Sequence, residues 1–310
     1  MTPPVRRRVL VFGSLNVDLV QRVPRLPAAG ETLSGAELST FTGGKGANQS
    51  CAVARLGGRA FMAGVIGSDA FGGAIVDDLR SAGADVSLVR RSTKSSGTAI
   101  VFILPDGNNS IVLSAGANQD AGKELAAEAI AILAPGDILL CQLEVPIDAV
   151  DTALTLARTR GIVTILDPAP ACKLSDSLMR QVNILTPNQS EASILLGWPK
   201  PVATVDEART AAAQLQARGP SNVIVKLGDL GCLVSESRGS LHVPAIPGDV
   251  VDTTAAGDTF NGALAVALEE GRSLTDAARF AVAAASLSVR RVGAIASIPS
   301  RADVDRILLG

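Results

Sequence analysis

The run Val251-Asp252-Thr253-Thr254-Ala255-Ala256-Gly257-Asp258-Thr259-Phe260-Asn261-Gly262 carries the clearest chemistry in the chain. A segment broken by Pro and Gly, 244–248, precedes it, and an apolar run of good helix formers, 263–268, follows. A loop of small residues therefore turns into the first turn of a helix. Backbone N–H groups at such a turn lack intrahelical acceptors, and the helix dipole adds partial positive charge. Small side chains at Ala255, Ala256 and Gly257 let an anion reach those amides, so this is a phosphate-binding arrangement. Asp258 stands at its mouth, where a carboxylate repels the anion. Accepting a proton from a hydroxyl that attacks the bound phosphate would give it a chemical role there. Capping the helix, a common task for Asp, is the plainer alternative.

A second polar cluster is Thr42-Gly43-Gly44-Lys45-Gly46-Ala47-Asn48-Gln49. Its glycines and lysine point to a polar ligand held close to backbone. It is not a Walker loop, because no Ser or Thr follows Lys45 and the upstream glycine is missing. The G-x-G-x-x-G spacing of dinucleotide sites fails too. A helix over 47–56, closed by Gly57-Gly58, places Lys45 and Asn48 at its N-terminus.

Other polar residues stand just after runs that read as strands. Asn16 and Asp18 follow 8–13, and Glu144 follows 137–141. Asn188 follows 182–185, with Glu191 three residues on, which is a capping-box spacing with Asn in place of Ser or Thr. Gly228 to Gly231 follows 222–227, a glycine-bounded turn against which a flat nucleotide could lie. Carboxyl ends of parallel strands are where α/β proteins bind ligands, although ordinary polar turns fit the same residues.

Strands and helices alternate regularly from 120 onward, which predicts an α/β protein. Earlier, 20–42 is extended and punctuated by Pro and Gly. The runs 98–104 and 110–114 flank Pro105-Asp106-Gly107-Asn108-Asn109, the strongest hairpin signal in the chain. Period two would set Ile100, Phe102, Ile111 and Leu113 on one face. Together these pieces predict a small sheet covering a site, or else an edge hairpin of the main sheet.

The chain has 310 residues, of which 47% are hydrophobic, and a net charge of −2. That length is enough for one large domain with a sizeable core. The charge gives no general attraction to nucleic acid or to an anionic membrane. No apolar run is long enough to span a bilayer, and Arg6-Arg7-Arg8 before a short apolar run makes a poor signal peptide. The four cysteines lie far apart and there is one histidine, His242. Zinc and a Cys-His nucleophile are therefore not expected. The cysteines read as small core residues of a protein in the reducing cytoplasm.

The polar residues, gathered from the whole chain and accompanied by few aromatics, suit a small polyhydroxylated ligand. With no tyrosine and one tryptophan, a nucleoside acceptor is less expected. The motifs at 43–49 and 252–262, with Gly13-Ser14-Leu15-Asn16-Val17-Asp18 and Thr186-Pro187-Asn188 plus Glu191, resemble the ribokinase (pfkB-type) family of sugar kinases over essentially the full chain. The Gly-Gly-Lys-Gly-Ala-Asn-Gln form points to the ribose-phosphorylating branch.

The resemblance implies a single kinase domain over 1–310, a three-layer α/β/α fold with a mainly parallel central sheet. A β-sheet lid would be formed by inserts at about 16–42 and 97–115, and the lid would also make a homodimer. The resemblance implies a D-ribose site from Asn16, Asp18, Gly44, Lys45, Asn48 and Glu144, with Asp258 as base for the 5-hydroxyl. Ala255, Ala256 and Gly257 would form the anion hole. Asn188, Lys226, Gly228, Gly231 and Gly257 would hold ATP, and Glu191 would act through water on Mg²⁺. Asp252, Thr254, Ser288, Arg291, Gly293 and Ser297 would bind a K⁺-type cation. Two departures bear on nucleotide preference: Val282 replaces an asparagine near the adenine, and Lys226 replaces a small hydroxyl residue. Rival readings are a kinase of another pentose, deoxyribose or a nucleoside, and a non-catalytic sugar or nucleotide sensor on the same scaffold.

Overall fold

The structure is a computed structural model and describes residues 7–105 and 109–309. The first half runs β1 (Val9–Phe12), β2 (Asn16–Arg22), β3 (Ser39–Gly43), α1 (Lys45–Arg55), β4 (Ala60–Gly67), α2 (Ala70–Ala82), β5 (Asp85–Ser92), β6 (Gly97–Ile103) and β7 (Asn109–Ser114). Next come α3 (Lys123–Ala131), β8 (Ile138–Cys141), α4 (Ile147–Thr159), β9 (Val163–Leu166), α5 (Asp176–Met179), β10 (Ile184–Leu185) and α6 (Gln189–Leu196). The chain ends with α7 (Val205–Ala217), β11 (Asn222–Lys226), β12 (Cys232–Glu236), β13 (Gly239–Val243), α8 (Ala256–Glu269), α9 (Leu274–Ser288) and α10 (Arg301–Leu309).

The central sheet has nine strands in the order β13-β12-β11-β10-β9-β8-β1-β4-β5. All neighbours are parallel except β11–β12 and β12–β13. Its strands β1, β8 and β10 are apolar without a break because both faces are covered. Val9 and Val11 of β1 enter one core, shared with α1, α2, α8, α9 and α10. Leu10 and Phe12 enter the other, shared with α3, α4, α5, α6 and α7. The result is a three-layer α/β/α sandwich. Strand order reverses at β1, whose neighbours are β4 and β8, and a crevice at such a reversal is the preferred ligand position of open α/β sheets.

A separate four-stranded sheet has the order β3-β2-β6-β7. The expected hairpin is present as the antiparallel pair β6–β7; the tip of its turn, 106–108, lies outside the described residues. The expected face is not found. Ile103 pairs with Asn109, so the odd number of residues between them (104–108) pairs even positions with even. Ile100 therefore stands opposite Val112, while Ala99 and Val101 stand opposite Leu113 and Ile111. Asp18 shares the second face, flanked by Phe41 and Ala99.

Helices α1 and α8 approach very closely. A Cβ on Gly262 would lie 2.5 Å from the Cβ of Ala52 and 3.0 Å from the carbonyl oxygen of Gln49. Only glycine permits that contact, and it brings the start of α1 against the start of α8. Both glycine-bearing motifs of the sequence are thereby joined into one site.

Candidate active site

Ser14, just after β1, and Glu144, just after β8, meet across the strand-order reversal. Ser14 Oγ donates to Glu144 Oε2 at 2.5 Å, and the backbone N–H of Lys45 donates to the same oxygen at 3.1 Å. Asn16 is buried, and its Oδ1 accepts from Asn118 Nδ2 at 2.7 Å. Asn118, in a 3₁₀ turn at Gly116–Asp120, is fixed in turn by the N–H of Leu15 at 2.8 Å. The carboxylate of Asp18 lies on Gly43, where a Cβ would fall 2.1 Å from Oδ2. Burial, then the charges of Glu144 and Asp258, push the Asp18 carboxyl up to about 6.

Asp258 is the third residue of α8 and is 6% exposed. It does not cap the helix. The N-cap is Ala255, the only non-glycine residue with positive φ among the described residues, at φ 57°. Asp258 Oδ2 accepts from Asn48 Nδ2 and Oδ1 from Gln49 Nε2, both at 2.9 Å. Burial raises its proton affinity and Lys45 opposes this. Asp167 adds to the rise, the two amide donors oppose it, and the net shift is upward. A carboxylate shifted this way is a stronger base than one in water. For Lys45, burial disfavours the ammonium, but Asp258, Asp167, Glu144 and Glu191 together outweigh it and raise its pKa.

The amides before Asp258 differ from the sequence expectation in one respect. Ala256 N–H donates to Thr253 O at 3.2 Å. The N–H groups of Ala255, Gly257 and Asp258 have no acceptor among the described residues, so Ala256 is the one member of the expected anion hole whose amide is already engaged.

A second group of residues faces this turn from β9, β10 and β11. Asp167 Oδ2 accepts from Gln49 Nε2 at 3.0 Å, and its Oδ1 lies 2.8 Å from Lys226 Nζ. Asn188 and Glu191 form a reciprocal capping box at the start of α6, with bonds of 2.8 and 2.7 Å. Burial raises the Glu191 carboxyl, Lys226 opposes it, and the net shift is upward. Gly228 is exposed at φ +61°, whereas Gly231 is buried, with a Cβ position 2.1 Å from Val243 O. Val282 is packed inside the core, 5% exposed.

Asp252 ties two loops together. Its oxygens accept from Thr254 N at 2.9 Å and Gly293 N at 2.8 Å, and the N–H groups of Val251 and Asp252 both reach Val289 O. Ser288 O accepts from Arg291 N at 3.2 Å, and the buried Ser297 donates its hydroxyl to Ala294 O at 2.8 Å. This donor set is one carboxylate among neutral oxygens, and among the described residues no three or more Asp, Glu, His or Cys side chains are grouped so as to hold a metal ion. Such a set suits a monovalent cation better than a divalent one.

The sequence profile of the pfkB family carbohydrate kinases matches residues 6–301. The chain belongs to that family. It is 40% identical to the ribokinase of Bacillus subtilis over 303 residues, covering 97% of this chain and 99% of the relative. It is 39% identical to the ribokinase of Haemophilus influenzae over 298 residues, covering 96% and 97%. The solved structure of Arabidopsis thaliana ribokinase complexed with ribose and ATP is similar at TM-score 0.89 and 35% identity, covering 98% of this chain and 99% of that one.

In this pfkB-family chain the structure also draws in residues that sequence reasoning passed over. Asn118, Gln142 and Asp167 carry no local sequence signal, and Ser14 and Gln49 enter the sequence reading only as members of motifs. Gln49 is the centre of the set: its Oε1 accepts from Gln142 Nε2 at 2.6 Å, while its Nε2 serves both Asp258 and Asp167. Among the free cysteines, Cys51, Cys141 and Cys232 are buried as expected, but Cys172 is exposed because it lies in the loop before α5. His242 is structural, bonded through Nε2 to Leu230 O at 2.6 Å. Among the described residues no helix is long and apolar enough to cross a membrane.

Proposed function

We propose that this chain transfers the terminal phosphoryl group of ATP to the 5-hydroxyl of D-ribose by direct in-line displacement. The observation that carries this reading is the placement of Asp258: buried, oriented by Asn48 and Gln49, and one residue from amides with no other acceptor. In this reading Asn16, Asp18, Gly44, Lys45, Asn48 and Glu144 pair with the sugar, and Asp258 takes the proton of the attacking oxygen. The turn 255–258 holds the transferring phosphate. Asn188, Lys226, Gly228 and Gly231 line the donor side. Phosphoryl transfer through a loose transition state makes positioning and charge neutralisation the main tasks. Mg²⁺ would neutralise charge on the nucleotide phosphates, held through water by Glu191. Asp252, Thr254, Ser288, Arg291, Gly293 and Ser297 would hold K⁺ beside the loop that leads into α8.

The four-stranded sheet acts as a lid that excludes water and as the surface of a homodimer. Exposed apolar side chains on both its faces support this: Ile100 and Val112 on one, Phe41, Ile111 and Leu113 on the other. Use of ATP and buried free thiols fit a cytoplasmic setting.

A coupled ADP assay over ribose, deoxyribose, other pentoses, hexoses and nucleosides, run with K⁺ or with Na⁺, tests the assignment. Ribose is expected to give the highest kcat/KM, and K⁺ to raise it. Preference for a nucleoside, or ATP binding with no ADP release, would refute the reading. Asp18 adds a pH dependence. Its folded carboxyl titrates near 6, so above that pH it is an ionised acceptor for sugar hydroxyls and below it the acceptor is lost. Sugar KM is expected to rise as pH falls through about 6, and Asp18→Asn to flatten that slope.

A further inference from the structure

Lys226 sits where two helix N-termini converge. Its N–H donates to Pro187 O at 2.8 Å, and it bridges to Asn188, the cap of α6. Its ammonium lies 3.5 Å from the point that a Cβ on Gly257 would occupy, so it faces the first turn of α8. Both helix ends carry partial positive charge, and an ammonium between them is repelled unless an anion answers it. Asp167 supplies that anion at 2.8 Å, with side-chain exposures of 13% for the lysine and 2% for the aspartate. The other oxygen of Asp167 is held by Gln49, which also holds Asp258. Asp167 is thus fixed from behind, whereas Lys226 reaches it on a flexible four-carbon stem.

A polyphosphate lying on the amides of Gly257 and Asp258 brings a second and larger negative charge against the same ammonium. We propose that Lys226 exchanges Asp167 for the terminal phosphate of the donor, and that Asp167 is a positioning residue that keeps the lysine at the site between turnovers. This rests on the reading that the 255–258 turn takes the donor phosphate. The exchange swaps one ion pair for another and makes no covalent bond. It has two consequences. Lys226 distinguishes a triphosphate from a diphosphate, because only the former reaches it. Asp167 competes with the phosphate for the lysine, so it weakens donor binding while ordering the site.

Calorimetric titration of the full chain with Mg·ATP and Mg·ADP, without sugar, tests this. Lys226→Met is expected to weaken ATP binding by about 10–100-fold and ADP binding by less than about 3-fold, the range for a lost charge-assisted bond. Lys226→Arg should restore most of the loss, and Lys226→Gln serves if the Met variant melts early. Asp167→Asn is expected to tighten ATP binding, and to have no such effect once Lys226 is Met. Equal losses for ATP and ADP, or weaker ATP binding in Asp167→Asn, would overturn the proposal. A chain that phosphorylates an acceptor other than ribose leaves this result standing, since no sugar is present. Failure of the unaltered chain to bind ATP would overturn both.

Discussion

Asp258→Asn is expected to fold, bind sugar within a few-fold of the parent, and lose kcat by about 10²-fold or more, the usual scale for a general base. The substitution keeps the shape of the side chain and removes its ability to take a proton. One local penalty is foreseeable. Asp258 accepts from two amide groups, Asn48 Nδ2 and Gln49 Nε2, and an Asn side chain offers one oxygen. Its NH₂ then faces another donor, which costs about 1–3 kcal/mol as an unmade bond. Loss of a buried charge beside Asp167 and Asp18 works in the opposite direction. Stability should therefore change little, and the effect should fall on turnover. KM for ATP should change less than kcat, because the amides of Gly257 and Asp258 remain in place.

Lys45→Met is expected to harm stability as well as activity. In the parent, Lys45 faces Asp258, Asp167, Glu144 and Glu191, and its pKa is raised by them against the effect of burial. A raised lysine pKa means stability that is fully present at neutral pH and lost only as pH rises through the folded value. Removing the ammonium leaves several partly buried carboxylates without their common cation. Breaking such a set costs on the order of 3 kcal/mol or more at pH 7. The dependence of stability on mildly acidic pH then steepens. With Lys45 gone, the carboxyls of Asp258 and Glu191, already raised and both held down in part by Lys45, rise further. The folded state then binds more protons than the unfolded state at mildly acidic pH, so stability falls as pH rises. Chemical denaturation at pH 5 and pH 7 should show the deficit relative to the parent shrinking at pH 5. A deficit that is the same at both values would mean that Lys45 is not the counter-ion of this cluster.

The parts of the fold legible in the sequence are those set by local pattern. Val9–Phe12 and Ile138–Cys141 are apolar at every position because both faces of the sheet are covered, and that leaves an unbroken run. The capping box at Asn188 and Glu191 has a fixed spacing and is present as read. What the sequence hid depends on distance or on register. Gln49 reaches Asp167 across 118 positions, and Asn118 reaches Leu15 across 103, so no window of sequence joins them. Which residues share a face of the small sheet is not legible from its strands, because a one-residue change in pairing exchanges the two faces. The sequence leaves Asp258 open as a cap because the actual N-cap, Ala255, lies in the left-handed region, which non-glycine residues adopt uncommonly. The helix Arg301–Leu309 gave little signal because Val304 is its one buried residue.

The most direct test is a single-turnover reaction, with enzyme in excess over Mg·ATP and with ribose saturating, run side by side on the parent and on Asp258→Asn after ribose affinity has been measured on the same preparations. The assignment predicts matched affinities and a phosphoryl-transfer rate at least ~10²-fold lower in the variant. Transfer at a near-parental rate would show that the carboxylate at the head of α8 is not the group that accepts the proton.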